Sequence, residues 1–494
     1  MALSSAARSV GGALAASGTE LAGIVGGRLV VDGSTAIRGA SVDSRTIAPG
    51  QMFVALPGER THGLMHASAA LRGGATAVLV EGGEASEPLR SALLALADDA
   101  RSAHATVICV EDGRSALGRA AAAWRHRFDL DVIGVTGSVG KTTTKELIAA
   151  ALGGTAAGCV ATPGNANNEI GLPLSLLNLP DGATRFVAEM GMYVEGDIRA
   201  LCNLAHPRIG VVTAIDAVHA ERAGDLDAIE RGKGELVEAL PPDGWAVLAA
   251  DDARVARLAA RTPARSVTAG RGATADVQIL AAELDERSGH TTVTLQTHGD
   301  QVDVDLPLFG MQFATAAALA VAVAELVGIA PSDAATRLAS VHLPAGRATV
   351  RQVAGIRLID DAYNAAPASM TAALETLAAC HPHRFAALGA MGELGPYAAS
   401  AHLEIGRRAA ASGLDLLVVL GTEADGIAEG ARAGGMPTDR IMRLSSDASG
   451  IAAAVGLLGD RAKAGDTILV KGSRSVELER LVVGLDARLG GDAS

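Results

Sequence analysis

Aromatic residues make up only 2% of this chain of 494 residues, whereas hydrophobic residues make up 49% and charged residues 20%. The composition excludes a disordered chain, because disordered segments combine low hydrophobicity with high net charge. It predicts cores built from Ala, Val, Leu and Ile rather than from rings. A single hydrophobic core does not organise this length, and about 150 residues per domain predicts three domains.

Positive charge is also scarce. Lys and Arg number 42 against 55 Asp and Glu, which gives a formal net charge of −13. This balance argues against a general nucleic-acid binder and against a polybasic membrane-surface protein. No apolar run approaches the roughly 20 residues of a membrane-spanning helix. We therefore expect no nucleic-acid partner and no membrane insertion, and any anionic ligand must be held by a local site.

Cysteine is rare and dispersed, which disfavours a disulfide framework. The N-terminal stretch has a single arginine, Arg8, and is interrupted by Gly11 and Gly12, so it does not resemble a secretory signal. Both features predict a reduced, cytoplasmic protein with buried free thiols. The four cysteines are Cys109, Cys159, Cys202 and Cys380.

Short apolar runs alternate with helical patterns, which is typical of an α/β fold with mostly parallel sheets. The first such stretch predicts a small α/β domain over residues 1–112. Its predicted strands are residues 27–31, 51–56, 77–80 and 106–110.

The second predicted domain covers residues 113–344. An Ala-rich helical pattern over 115–128 leads into an apolar strand at 132–135, and strand-like runs follow at 186–188 and 209–213. Apolar residues then alternate with polar ones on both sides of the Gly-Asp turn at 297–300, which predicts a β-hairpin attached to the sheet.

From residue 345 to 494 the alternation of strand and helix begins again, which predicts a third, Rossmann-like domain. A helix is expected over 369–379. The predicted strands are residues 357–360, 385–388, 416–420 and 467–470.

The strongest local signal is a glycine-rich segment between the apolar strand at 132–135 and a helical pattern. Its glycines let main-chain amides surround phosphate oxygens, Lys141 supplies a positive charge, and the Thr142 hydroxyl can reach Mg²⁺. The usual P-loop spacing would require glycine where the chain has Val135, so a plain Gly-rich turn is the alternative. The predicted nucleotide-binding residues are Thr136, Gly137, Ser138, Val139, Gly140, Lys141, Thr142 and Thr143.

Other polar residues follow predicted strands, where ligands bind α/β sheets. Glu189 is placed to ligate a metal, and His219 could do so as a neutral imidazole, although a lone histidine is more often structural. Because its neighbours in the sequence are charged, Lys233 is predicted to lie on a solvent-exposed face of a helix. In the third domain we expect ligand contacts from Asp361 and Lys471, with helix capping as the alternative for the Asp360-Asp361 pair.

The shifted loop pattern T-G-S-x-G-K-T-T resembles that of the Mur ligase superfamily, the ATP-dependent amide-bond-forming enzymes of peptidoglycan synthesis. Further segments resemble the branch that adds D-alanyl-D-alanine, and they follow one another in order along nearly the whole chain. They are D-S-R at 43–45, T-P-G-N-A-N-N-E-I-G-L-P at 162–173, E-M-G at 189–191, A-V-H at 217–219, K-G-E at 233–235, G-R at 346–347, D-D-A-Y-N at 360–364 and V-K-G-S-R at 470–474.

The resemblance implies a monomeric ligase that uses ATP and Mg²⁺ to join D-alanyl-D-alanine to UDP-N-acetylmuramoyl-tripeptide through an acyl phosphate. The third peptide residue, diaminopimelate or lysine, is left open. It implies catalytic roles for Lys141, Glu189, His219 and Lys233, with Lys233 carbamylated as in several relatives. The metal ligands would be Thr142, Glu189 and His219. Further nucleotide contacts would come from Asn168, Arg347, Asp361 and Asn364, and substrate contacts from Ser44, Arg45, Asn165, Tyr363 and Lys471.

The chain also departs from the superfamily pattern. The segment G-M-Q-F-A-T-A at 310–316 lacks the asparagines that usually precede the adenine-contacting helix. Two alternatives remain beside the D-alanyl-D-alanine ligase. One is another Mur-type amide ligase, although the Asp-Asn-Pro-Arg motif of the diaminopimelate-adding branch is absent; the other is a non-catalytic nucleotide-binding homologue, against which the retained Lys141 and Glu189 argue.

Overall fold

The computed structural model describes residues 14–15, 17–33, 37–58, 61–82, 86–218 and 220–490. Three sheets, each formed by its own stretch of chain, give a three-domain α/β fold with mostly parallel strands. The sequence prediction of fold class is confirmed. Within the described residues, no helix combines the length and apolarity needed to cross a bilayer.

The first stretch forms a five-stranded sheet in the order β1-β5-β4-β3-β2, in which β1 pairs antiparallel with β5 and the other pairs are parallel. All four predicted strands are present. The elements are α1 (Gly18–Val25), β1 (Arg28–Val31), β2 (Ala40–Ser41), β3 (Met52–Ala55), α2 (Ala67–Arg72), β4 (Ala77–Glu81), α3 (Glu87–Ser102), β5 (Thr106–Val110) and α4 (Gly113–Arg125).

Helix α4 begins two residues before its predicted start because the Asp112 carboxylate accepts a hydrogen bond from the Ser115 N–H at 2.6 Å. It ends at Arg125, before the predicted end at 128.

The second stretch carries the predicted strands and several that were not predicted. Its elements are β6 (Asp131–Thr136), α5 (Lys141–Ala151), β7 (Cys159–Ala161), α6 (Gly171–Leu177), β8 (Arg185–Glu189), α7 (Asp197–Ala205), β9 (Ile209–Val212), α8 (Ala220–Ala223), α9 (Leu226–Glu238), β10 (Trp245–Ala249), α10 (Ala253–Arg257), β11 (Arg265–Gly270), β12 (Val277–Asp285), β13 (His290–Gln296), β14 (Gln301–Leu306), α11 (Phe313–Leu326) and α12 (Pro331–Leu338).

The predicted hairpin is confirmed. Strands β13 and β14 pair antiparallel, with Leu295 opposite Val302 and Val293 opposite Val304, so the apolar side chains share one face. The turn is closed by a 2.9 Å hydrogen bond from the Thr297 N–H to the Asp300 carbonyl.

The third stretch forms a six-stranded sheet in the order β15-β16-β20-β17-β18-β19. The four predicted strands are present, and only the β15–β16 pair is antiparallel. The elements are β15 (Thr349–Val353), β16 (Ile356–Asp361), α13 (Pro367–Ala378), β17 (Arg384–Gly389), α14 (Ala398–Ala411), β18 (Leu416–Leu420), α15 (Asp425–Ala433), β19 (Ile441–Leu444), α16 (Ala448–Arg461), β20 (Thr467–Lys471) and α17 (Glu479–Gly490).

The described residues divide into two compact units, and β6 crosses their boundary. The first unit contains the chain up to Gly134, together with Thr155–Gly191 and Asp197–Arg208. The strands that the second stretch of chain contributes to this unit follow the order β6-β8-β7. The second unit contains Val135–Gly154, Met192–Gly196 and the chain from Ile209 onward, with the order β14-β13-β12-β11-β10-β9-β6. Central strands such as β9 are buried along their whole length, as expected for parallel sheets covered on both faces.

Candidate active site

The predicted phosphate loop lies between β6 and α5. Gly137 has φ +153° and Gly140, which precedes the helix, has φ +80°. A Cβ atom at Gly137 would lie 1.9 Å from Thr213 Oγ1, so only glycine fits there. The loop therefore presents its main-chain amides and the positive end of α5 to the same space.

Hydrogen bonds from the segment after β9 hold this loop in place. Ser138 donates its N–H to the Ala214 carbonyl at 2.8 Å, and its hydroxyl donates to the Asp216 carbonyl while accepting the Asp216 N–H, both at 2.8 Å. The Thr213 hydroxyl donates to the Val139 carbonyl at 2.5 Å. The loop conformation is thus fixed by the protein itself.

Lys141 is the first residue of α5. Its Nζ donates to the Gly137 carbonyl at 2.7 Å and to the Ser138 carbonyl at 3.3 Å, so the ammonium lies over the loop. Thr142 follows it and is buried. A positive charge and a buried hydroxyl at a helix N-terminus suit a polyphosphate with a divalent cation.

Lys233 lies on α9 and is only 2% exposed, so the solvated-face interpretation is wrong. The flanking glycines explain the burial. A Cβ at Gly232 would lie 2.5 Å from Met192 Cε, and one at Gly234 would lie 2.4 Å from Arg261 Cζ, so neighbouring groups close tightly over this face. The charged residues around Lys233 in the sequence concealed this packing.

Burial lowers the pKa of the Lys233 ammonium well below its ordinary value, and the positive charge of Lys141 lowers it further. A lysine amine in this environment favours its neutral form, which is the form that reacts with CO₂ to give a carbamate.

In the first unit, Glu189 ends β8 and is 1% exposed. The Asn167 side-chain amide donates to its Oε1 at 2.8 Å, and the Glu189 N–H donates to Thr162 Oγ1 at 3.0 Å. The Asn167 carbonyl also accepts the Gly191 N–H at 2.8 Å. Asn167, which was not among the predicted site residues, therefore orients the Glu189 carboxylate; its place in the N-A-N-N run was the available signal.

The other predicted residues of that loop are exposed. Asn168 Oδ1 accepts the N–H groups of Ile170 at 3.2 Å and Gly171 at 2.9 Å, which starts helix α6. Asn165 lies three residues earlier in the same loop. Their nucleotide and substrate roles remain predictions.

Ser44 and Arg45 lie on a turn after β2. The Arg45 guanidinium donates from Nε to Asp43 Oδ1 at 2.9 Å and from Nη2 to Oδ2 at 2.6 Å. This hydrogen bonding lowers the pKa of the Asp43 carboxyl to about 2. Arg45 is thus an exposed cation whose charge is partly neutralised by a neighbour.

His219, the predicted imidazole ligand, lies outside the described residues. Within those residues, no three His, Cys, Asp or Glu side chains form a cluster that could hold a metal ion.

Five predicted residues of the third stretch come together at the carboxyl ends of β16 and β20. Lys471 Nζ donates to Asp361 Oδ2 at 2.5 Å and to the Asn364 carbonyl at 3.0 Å. The Arg347 guanidinium stacks over the Tyr363 ring at 4.2 Å from its centroid. We call these five residues the C-terminal cluster.

The capping alternative for the two aspartates is wrong. Both are the last residues of β16, and α13 begins only at Pro367, after Ala366 at the cap position. Asp361 Oδ1 instead accepts the Ala348 N–H at 3.1 Å, while Asp360 Oδ1 accepts the Ala362 N–H at 3.2 Å.

A cavity of about 560 Å³ lies beyond the carboxyl ends of β17 and β18, and sequence reasoning missed it because its lining comes from separate loops. Its buried histidine, His402, accepts the Met391 N–H on Nε2 at 2.9 Å, so Nδ1 carries the proton and donates to the Ala398 carbonyl at 2.7 Å. The acidic residues lining the cavity are Glu221, Glu393, Glu423 and Glu429.

The segment expected to contact adenine leads into helix α11, which is apolar except for Thr315 and Glu325. Gln312 Oε1 accepts a hydrogen bond from the buried Thr376 hydroxyl on α13 at 3.1 Å. The Gln312 side chain is therefore held by the protein.

Comparison with known proteins matches three successive segments of the chain to family models. Residues 36–125 match the model of the Mur ligase family catalytic domain, residues 135–324 the Mur ligase middle domain, and residues 346–474 the Mur ligase glutamate ligase domain. The chain is 36% identical, over 88% of its length and 89% of the relative, to the UDP-N-acetylmuramoyl-tripeptide--D-alanyl-D-alanine ligase of Mycobacterium tuberculosis.

Among solved structures, MurF from Acinetobacter baumannii superposes with a TM-score of 0.80 at 27% identity, covering 95% of this chain and 98% of that one. MurF from Thermotoga maritima in complex with ADP gives 0.77 at 29% identity, covering 92% and 99%. The chain belongs to the Mur ligase family.

Proposed function

We propose that the chain is an ATP-dependent ligase that joins D-alanyl-D-alanine to UDP-N-acetylmuramoyl-tripeptide, releasing ADP and phosphate, in peptidoglycan precursor synthesis. The observation that carries the proposal is the similarity, over almost the whole of both chains, to ligases with this activity. The phosphate loop and the deeply buried Lys233 and Glu189 supply the chemistry that such a ligase needs.

The reaction requires activation because an amine does not displace oxide from a carboxylate at a useful rate. The γ-phosphoryl group of ATP passes to the peptide carboxylate, giving an acyl phosphate and ADP. The dipeptide amine then adds to the acyl carbon, and the tetrahedral intermediate expels phosphate. The protein contributes positioning and charge stabilisation.

The loop residues 136–143 bind the polyphosphate through main-chain N–H groups and the N-terminus of α5. Lys141 neutralises charge that develops on the transferring phosphoryl group, since its ammonium already lies over the loop. A prearranged cation of this kind needs no reorganisation during the transfer.

The donor set suits Mg²⁺, which prefers hard oxygen ligands and uses one or two carboxylates together with substrate phosphates. From the resemblance to the family, its proposed ligands are Thr142, Glu189 and His219. When bound, Mg²⁺ neutralises phosphate charge. We further propose that Lys233 is carbamylated, which would convert a buried amine into an additional carboxylate.

The dipeptide is proposed to enter the cavity beyond β17 and β18, because the four glutamates there complement its ammonium group. Tyr363, Lys471 and Asn165 remain proposed substrate contacts, and Arg347, Asp361, Asn364 and Asn168 proposed nucleotide contacts. Ser44 and Arg45 are proposed to bind the UDP-sugar.

We propose a cytoplasmic monomer. The four cysteines are dispersed in the sequence without a CxxC pair, which fits a reducing compartment, and the substrates are nucleotide-linked precursors.

The test is phosphate release by the purified protein with ATP, Mg²⁺ and each UDP-N-acetylmuramoyl-peptide, with and without D-alanyl-D-alanine. We expect phosphate release that requires both the tripeptide substrate and the dipeptide, with equimolar pentapeptide product. Release with a shorter peptide and a single amino acid would identify another Mur-type ligase. Nucleotide binding without turnover for any substrate set would identify a non-catalytic homologue.

A further inference from the structure

Asp216 lies just after β9 and contacts two separate parts of the second unit. Its main chain forms both 2.8 Å hydrogen bonds with the Ser138 hydroxyl of the phosphate loop. Its carboxylate accepts the N–H of the next residue, Ala217, on Oδ1 at 2.7 Å and the N–H of Ala368 on Oδ2 at 3.2 Å. One residue thus joins the loop to helix α13 in the C-terminal domain.

The contact with α13 meets a specific need of that helix. Its cap position is occupied by Ala366, which has no side-chain acceptor, and Ala368 lies in the first turn, where N–H groups lack partners within the helix. A carboxylate is a favourable acceptor there, because it accepts the hydrogen bond and its charge complements the positive end of the helix. Asp216 therefore acts as the cap of α13 from 152 positions away in the sequence.

The segment touches the C-terminal domain a second time, beside the proposed dipeptide cavity. The Glu221 N–H donates to the Glu393 carbonyl at 3.3 Å, and a Cβ at Gly395 would lie 3.1 Å from the Glu221 Cα. Glu221 and Glu393 both line the cavity. Asp216 therefore contacts the phosphate loop, and Glu221, five positions later, contacts the cavity wall.

We propose that Asp216 is a positioning residue that couples occupancy of the phosphate loop to the docking of α13 and the adjoining cavity. The coupling passes through its main chain on one side and its carboxylate on the other. Removing the side chain leaves both bonds with the Ser138 hydroxyl intact and removes the connection with α13, together with the local bond to the Ala217 N–H. The proposal rests on the proposed function for the identity of the nucleotide and the dipeptide.

Hydrogen exchange of the α13 amides measures this coupling without any turnover. Full-length wild type, Asp216→Ala and Asp216→Asn are compared with and without Mg²⁺ and a non-hydrolysable ATP analogue. We expect exchange at Ala368 to be about tenfold faster in Asp216→Ala, since a charge-assisted hydrogen bond is lost. The nucleotide should slow exchange at Ala368 in wild type but not in Asp216→Ala. Asp216→Asn, whose amide oxygen still accepts, should retain most of the response.

A matched control is Asp447→Ala, which removes the carboxylate that accepts the Ser449 and Gly450 N–H groups at the start of α16. Its exchange should increase at α16 alone, with the nucleotide response at Ala368 unchanged. A nucleotide response of equal size in wild type and Asp216→Ala, or none in wild type, would overturn the proposal.

Steady-state kinetics separate positioning from general destabilisation. In Asp216→Ala we expect KM for ATP within about twofold of wild type, because the loop bonds remain, and kcat/KM for the dipeptide lowered about tenfold, with Asp216→Asn restoring most of it. An equal loss for both substrates in Asp216→Ala and Asp216→Asn would contradict the proposal. If no ligase turnover is found but the exchange pattern holds, the proposed function fails and the coupling stands.

Discussion

The phosphate loop and the C-terminal cluster both lie at the carboxyl ends of parallel strands, yet they are held in different ways. The loop owes its shape to glycine conformations and to hydrogen bonds with the segment after β9, which involve its main chain and the Ser138 and Thr213 hydroxyls. The cluster owes its shape to side chains that satisfy one another, chiefly the Lys471–Asp361 ion pair. The glycine conformations and these hydrogen bonds with the segment after β9 remain when the Lys141 side chain is removed, whereas the cluster loses its ion pair when Asp361 is removed.

The largest effect is expected when the Lys471–Asp361 ion pair is broken. Asp361→Ala leaves the buried Lys471 ammonium without its carboxylate, and breaking a buried pair from one side typically costs about 3 to 5 kcal/mol of stability. The measurement is the midpoint of unfolding in urea. The double variant Asp361→Ala/Lys471→Met should recover much of the loss.

The matched control for that variant is Asp460→Ala, which removes an exposed ion pair with Arg488. Exposed pairs contribute about 1 kcal/mol or less, so its midpoint should hardly move. Equal shifts for Asp361→Ala and Asp460→Ala would show that the cluster is not held together by its buried charges.

The complementary test acts on the loop. Lys141→Ala should lower turnover about 100-fold, equivalent to roughly 3 kcal/mol of lost transition-state stabilisation, without lowering the unfolding midpoint. Lys463→Ala, at an exposed lysine that has no proposed role, is the control. A folded Lys141→Ala enzyme with near-normal turnover would overturn the assignment of the phosphate loop.

Lys233 shares a feature with each of these regions. Like the C-terminal cluster it has a buried charged side chain, and like the phosphate loop it depends on glycines, because its flanking glycines allow neighbouring groups to bury it. Lys233→Ala should lose activity about tenfold or more, as for groups that support a metal site. Short-chain carboxylates should partly restore it by occupying the position of the carbamate. Wild-type activity should also fall when CO₂ is removed, whereas Lys233→Ala should not respond. Absence of both effects would leave Lys233 as an unmodified buried amine.

The same contrast explains how much the sequence could predict. The fold class, all the strands that were proposed and the hairpin at 297–300 followed from apolar periodicity, and the loop followed from its glycines. Strand β10 was missed because its apolar run in an Ala-rich stretch is equally consistent with a helix. Contacts between distant side chains left no periodic signal: the Lys471–Asp361 pair spans 110 positions and the Asp216–Ala368 contact 152.

The smallest effect is expected where the nucleotide base binds. The segment 310–316 lacks the asparagines typical of the superfamily, and the Gln312 carbonyl oxygen is engaged by Thr376. Base binding must then depend little on a side-chain amide here, and affinity must come from the phosphate loop. A missing base-edge hydrogen bond costs only about 0.5 to 1.5 kcal/mol, roughly tenfold at most, when no buried partner is left unpaired.

We therefore expect GTP and ITP to support ligation within about an order of magnitude of ATP in kcat/KM. Thr376→Val is the paired variant, because it removes the hydroxyl that donates to the Gln312 side chain. The ratio of kcat/KM for GTP or ITP to that for ATP should stay within about threefold of wild type, since the Gln312 amide still gains no partner on the base. A preference for ATP of about a thousandfold would require a group that reads the base strongly, which a single hydrogen bond of this size cannot supply.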